Sequence, residues 1–129
     1  MAEVTELRVT LTVDDFDQAL AFYRDALGLV ELADWSTDDG RVVVLEAGRA
    51  TLELFDQAQA ATVDEIEAGR RVSGKVRLAL EVRHSDEKAQ QLIAAGAAEV
   101  APPVTTPWGD RNARVQAPDG MQLTLFTTD

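Results

Sequence analysis

The chain has 129 residues, 46% of them hydrophobic, which suits one domain with its own core and argues against disorder. Its 12 basic and 23 acidic residues give a net charge of −11, a field that repels nucleic acid and anionic membrane. With no cysteine, disulfides, thiolate nucleophiles and sulfur-ligated metals are excluded.

The N-terminus MAEVTELRV carries neither a basic n-region nor an apolar h-region, and no apolar run approaches a membrane span. A soluble, cytoplasmic protein is expected. LRVTLTV (Leu7–Val13) then alternates as a strand, with Arg8, Thr10 and Thr12 on the face opposite its apolar residues. A helix should follow, capped by Asp15 with Gln18 three residues on, and closed by Gly28. Phe16, Leu20, Tyr23 and Leu27 share one face of it. GRVVVLEAG and RATLELF read as two strands about a turn at Gly48.

The same order returns. VRLALEV (Val76–Val82) is a strand, Ser85 caps a helix carrying Leu92 and Ile93, and Gly96 closes that helix. DRNARVQA and MQLTLF form a strand pair around the turn at Pro118–Gly120. From Arg8 to Arg77 the offset is 69, and from LELF at Leu52 to LTLF at Leu123 it is 71. Near-equal offsets at opposite ends of a unit mark an internal repeat. Module one spans about residues 5–56 and module two about 75–127, within one domain over 1–129. The linker, about 57–74, holds a short helix in TVDEIEAG, with Thr62 and Glu65 as a capping box and Gly69 as its stop.

RVTLTVDDFDQALAFYRDALGL near the start and WGDRNARVQAPDGMQLTLF near the end, set in this repeat, resemble the vicinal oxygen chelate superfamily. That superfamily includes glyoxalase I, extradiol dioxygenases, and fosfomycin and bleomycin resistance proteins. The resemblance implies an α+β fold: two βαβββ modules forming a cupped, eight-stranded mixed sheet with helices outside. Strand parity then turns Arg8, Thr10, Glu53, Phe55, Arg77, Thr124 and Phe126 into the cup.

Metal-dependent members place ligands at four positions that correspond here to Arg8, Glu53, Arg77 and Thr124. An arginine has no lone pair to donate, so no metal or other cofactor is expected. Two readings of Arg8, Arg77 and Glu53 stand. They brace the cup floor as ion pairs, or they anchor a ligand's oxygens. One carboxylate neutralises one arginine, and the surplus positive charge would favour an anionic or oxygen-rich group. Between arginines the Glu53 pKa should be lowered, making it a poor base.

His84, the only histidine, reads as a surface loop residue, and no serine has a base beside it. Trp35 and Trp108 lie in turn-rich segments that would rim the cup, where indoles stack on planar ligands; packing in a core or interface explains either one equally. The resemblance thus implies a metal-free homodimer, close to the bleomycin resistance proteins. Its activity would be sequestering an aromatic natural product or antibiotic as small-molecule partner. The alternative is an enzyme of the same fold, an isomerase, lyase or dioxygenase, acting through Glu53 or an atypical metal.

Overall fold

The computed structural model describes residues 2–128. Eight strands form one mixed sheet in the order β2-β3-β4-β1-β5-β8-β7-β6. They are β1 (Val4–Thr12), β2 (Val30–Asp34), β3 (Val42–Ala47), β4 (Ala50–Phe55), β5 (Val76–Val82), β6 (Ala98–Thr105), β7 (Arg111–Gln116) and β8 (Gln122–Thr127). β1 and β5 meet antiparallel at the centre, each with its module's last strand parallel on its other side.

The registers obey the repeat. Arg8 pairs with Ala79 and Thr10 with Arg77, so the same offset of 69 exchanges the two pairs. Thr10 pairs with Glu53, and its counterpart Ala79 pairs with Thr124. Val42 and Val44 lie opposite Phe55 and Glu53, as Asn112 and Arg114 lie opposite Phe126 and Thr124. The two halves are thus related by an approximate twofold axis between β1 and β5.

Helices α1 (Phe16–Leu20) and α3 (Ser85–Ala94) pack outside the sheet. Phe16, Ala19 and Leu20 bury against Val43, Leu45 and Leu54. Ala89 does the same against Ala113, Val115 and Leu125. These strand residues alternate with the polar set turned to the opposite face, so side-chain parity alone divides the two surfaces. Asp15 caps α1 by accepting from the Gln18 amide, as expected.

Past Leu20 the helix widens into a π-helix over Ala21–Ala26, with bonds such as Leu27 N–H to Phe22 C=O. An i→i+5 bond rotates everything beyond it relative to an α-helix. Tyr23 still packs on the core, whereas Leu27 turns out to solvent, contrary to the face read from an ideal period, and Leu29 packs in its stead.

Ser85 does not cap α3; His84 occupies that position without a side-chain bond. Ser85 is buried, donating to the Arg111 carbonyl while its amide donates to Thr127. It locks the helix to the sheet rather than to its own first turn.

The linker helix α2 (Gln57–Ala68) has its N-cap six residues before the expected capping box. Asp56 is its N-cap, accepting from the Gln59 amide, and Thr62 instead donates to the Asp39 carbonyl. Gly69 ends it in the left-handed conformation, as read. α2 lies on the sheet face opposite α1 and α3, with Ala60 and Val63 against Val42 and Phe55. Its first turn passes so near Gly40 that a Cβ there would sit 2.3 Å from the Gln59 nitrogen. Gly40→Ala should therefore destabilise by roughly 1–3 kcal/mol, because the obstacle is backbone and cannot rotate away. Chemical denaturation giving an unchanged free energy would contradict this approach of loop and helix.

Among the described residues no helix is long and apolar enough to cross a membrane.

Candidate functional site

Curvature brings distant strands together. Trp35 directly follows edge strand β2, and Phe126 lies on β8, five strand intervals across the sheet. In a flat sheet that is roughly 24 Å. Both rings nevertheless face one guanidinium: the Arg8 Cζ is 5.5 Å from the Trp35 ring and 5.0 Å from the Phe126 ring. The sheet is a cup, and Arg8 stands near its middle.

Arg8 Nε donates to Glu6 at 2.6 Å, and its Nη1 lies 3.9 Å from Glu53. Thr51 donates to the same Glu6 carboxylate. Burial alone would lower the Arg8 pKa; the carboxylates of Glu6, Glu53 and Glu81 outweigh it and hold the guanidinium firmly charged. The side chain keeps 22% of its surface exposed, so this half of the cup is open to solvent.

The other half repeats the arrangement and is closed. Arg77 lies over Phe55 at 5.6 Å as Arg8 lies over Phe126, and it donates at 2.7 Å to Thr124, which holds the position matching Glu53. Here α2 supplies the cover. Arg114 donates to Asp64 at 2.9 Å and to Glu67 at 2.8 Å, while Asn112 donates to Glu67 at 2.8 Å. Burial pushes the Arg77 pKa down, with Glu67 pulling the other way.

The anticipated surplus of positive charge is thus absent. Asp64 and Glu67 on α2 face the arginines of the second half, and Glu6 and Glu53 face Arg8. The direction expected for Glu53 is also reversed. Burial pushes its carboxyl up, and Arg77, Arg8 and the Thr10 hydroxyl at 3.2 Å do not cancel that. Desolvation wins because the side chain is almost wholly enclosed and its nearest guanidinium is 3.9 Å away.

Arg8, Thr10, Trp35, Glu53, Phe55, Arg77, Thr124 and Phe126 therefore gather in the cup. Trp108 makes its polar contact within its own turn instead, donating to Asp110 at 3.1 Å. Arg114, Asn112, Asp64 and Glu67 were missed by sequence reasoning. Parity along ARVQ would have turned Arg114 inward, but nothing in the linker's sequence shows which sheet face its helix covers.

The four positions that the resemblance matches to metal ligands hold Arg8, Glu53, Arg77 and Thr124. Of these only Glu53 is an acidic donor, and Thr124 already accepts from Arg77. Such a set does not fit a divalent cation. Among the described residues, no three His, Cys, Asp or Glu side chains group so as to hold a metal ion.

A cupped mixed sheet built twice from βαβββ, its polar residues converging on the inner face, defines a ligand-cup fold of the glyoxalase type. The chain belongs to the Glyoxalase/Bleomycin resistance protein/Dioxygenase superfamily, whose family model matches residues 7–125. No curated protein matches it. Among solved structures, a hypothetical protein from Bacillus halodurans C-125 superposes with a TM-score of 0.70 at 18% identity, covering 95% of this chain and 92% of its own. Methylmalonyl-CoA epimerase from Mycobacterium tuberculosis gives 0.69 at 21% identity, covering 100% and 91%. A superfamily member from Vibrio splendidus 12B01 gives 0.65 at 15%, covering 95% and 97%. At these identities the likeness is one of fold.

Proposed function

We propose that the chain binds a planar, oxygen-rich aromatic small molecule in the open half of its cup and releases it unchanged. Sequestration of a natural product such as an antibiotic is the biological form of that activity. The observation that carries the reading is Arg8: a charged, half-buried guanidinium flanked by the Trp35 and Phe126 rings. A flat ligand can lie against the indole while an oxygen accepts from the guanidinium. Thr10 and Glu53 line the floor beneath.

Binding is expected to quench tryptophan fluorescence. Trp35→Ala should weaken it by roughly 0.5–1.5 kcal/mol, a threefold to tenfold loss. Arg8→Met deletes a charge-assisted donor and should cost about 1.5–3 kcal/mol of affinity. Titration of a panel of planar natural products checks both. A panel that leaves the fluorescence unchanged removes the proposal, and an Arg8→Met protein that binds normally makes the arginine a brace only.

One observation favours a second reading, proton transfer by Glu53. A carboxyl whose pKa burial has raised is a better base near neutral pH than an ordinary glutamate. Methylmalonyl-CoA epimerase, one of the similar folds, is an enzyme solved with methylmalonyl-CoA. Incubation of a bound ligand in deuterated water separates the two: unlabelled ligand recovered supports binding, and deuterium on carbon supports catalysis. We also propose a homodimer, in keeping with the frequent dimers of the superfamily; sedimentation of a monomer at every concentration would exclude it.

A further inference from the structure

We infer that Glu67 of α2 is an internal occupant of an oxyanion site, formed by Arg114, Asn112 and Thr124 in the second half of the cup, for which a ligand carboxylate can compete. The site recognises both oxygens of one carboxylate. Glu67 Oε1 accepts from Arg114 Nη2 at 2.8 Å and from the Thr124 hydroxyl at 3.5 Å, and Oε2 accepts from Asn112 Nδ2 at 2.8 Å. Arg77 stands behind, donating to Thr124 and orienting that hydroxyl toward the anion. Two oxygens met by separate donors is the geometry by which carboxylates are read.

The fold does not require these donors. Their counterparts across the approximate twofold are Val42, Val44 and Glu53, and Val42 and Val44 are as deeply buried as Asn112 and Arg114. Apolar residues therefore satisfy the sheet at both strand positions. What the second half adds is anion recognition.

The occupant sits on a tether. α2 leaves the sheet at Asp56 and returns through Gly69, so the carboxylate is held by a linker rather than by a strand. Its buried apolar contacts are Ala60 and Val63 against Val42 and Phe55. The site also has unused capacity, since Arg114 Nε and Asn112 Oδ1 are buried without a protein partner. A ligand that brings a carboxylate with a neighbouring donor and acceptor would satisfy atoms that α2 leaves unmatched. Against a tethered competitor at millimolar effective concentration or above, a simple carboxylate binds weakly to the native chain. With the competitor deleted, it should bind readily.

This inference stands apart from the ligand proposed for Arg8 and is tested without it. Glu67→Ala opens the site, and potassium acetate is titrated against it at constant ionic strength made up with chloride. The unfolding midpoint should rise with the logarithm of acetate concentration once this exceeds Kd, by roughly 4–7 °C at a tenfold excess. Glu67→Gln, which keeps the site filled, should show no such rise. An equal response in both variants, or none in Glu67→Ala, overturns the inference. If Glu67→Ala does not fold, amide exchange of the native protein decides, in benzoate raised above the effective concentration of the tethered carboxylate. Faster exchange across 57–68 with unchanged exchange in β8 supports displacement of α2, and unchanged exchange in both overturns it.

Discussion

Arg114→Met is expected to remove roughly 3–5 kcal/mol of stability, because it takes from the enclosed Glu67 its ion-pair partner and from Asp64 one of two. The guanidinium has no exposed surface and joins Asp64 and Glu67 at 2.9 and 2.8 Å. Asp64 retains Arg71 and the Ser73 groups, whereas Glu67 keeps Asn112 and the longer bond from Thr124. The methionine itself is not the difficulty, for Val44 fills the matching place in the first half and is equally buried. Neutralising all three partners together, with Arg114→Met, Asp64→Asn and Glu67→Gln, should therefore recover part of the loss. Urea denaturation with a shared slope reads both numbers. A loss below about 1 kcal/mol for the single variant would show that water reaches the carboxylates, and that α2 does not seal this half.

The same asymmetry governs what the sequence could disclose. Registers, the repeat and the inward set on β1, β4, β5 and β8 follow from alternation, which is local and strict. Edge strands β2 and β6 escaped because neither alternates. β2 exposes Val30 and Leu32 and shifts register between Glu31 and Ala33, and β6 contains Pro102 and Pro103, which an edge tolerates and an interior strand does not. Leu27 was misplaced by a π-helix that no propensity announces. The site was legible as a set of directions but not as a balance of charges. Arg8 and Arg77 could be aimed inward from parity, yet whether their charge stood unmatched depended on α2, whose Asp64 and Glu67 lie 50 and 47 residues from Arg114. Long-range closure of that kind has no periodic signature.

An open half and a sealed half give the cup two different chemistries from one repeated frame. At Arg8 the surroundings are rings and solvent, and the guanidinium is shared between Glu6 and Glu53. At Arg114 the guanidinium donates to Asp64, Gln122 and Glu67, all supplied by the chain itself. The substitutions that separate them, Val42 against Asn112 and Val44 against Arg114, sit on matching strands in matching registers. The difference between the halves therefore lies chiefly in β3, β7 and the linker, while the two central strands provide a common floor.

Acid should unfold the protein through Asp64. Burial would raise this carboxyl, but the Ser73 amide, Arg114, the Val72 amide and the Ser73 hydroxyl all hold its charged form and set its pKa at about 2, against an ordinary 3.8. All these donors converge at 2.8–2.9 Å and join α2 both to the segment leading into β5 and to Arg114 on β7. A carboxyl with a depressed folded pKa contributes stability that is complete above its unfolded value and is lost as pH falls through the folded one. The window here runs from about pH 4 down to pH 2, and the contribution lost is about 2.5 kcal/mol. Replacing Asp64 by Asn will lower stability at neutral pH, so the test is the slope. Unfolding free energy followed from pH 5 to pH 2 should fall more steeply for the native chain than for Asp64→Asn. Parallel curves would mean that the acid-sensitive group lies elsewhere.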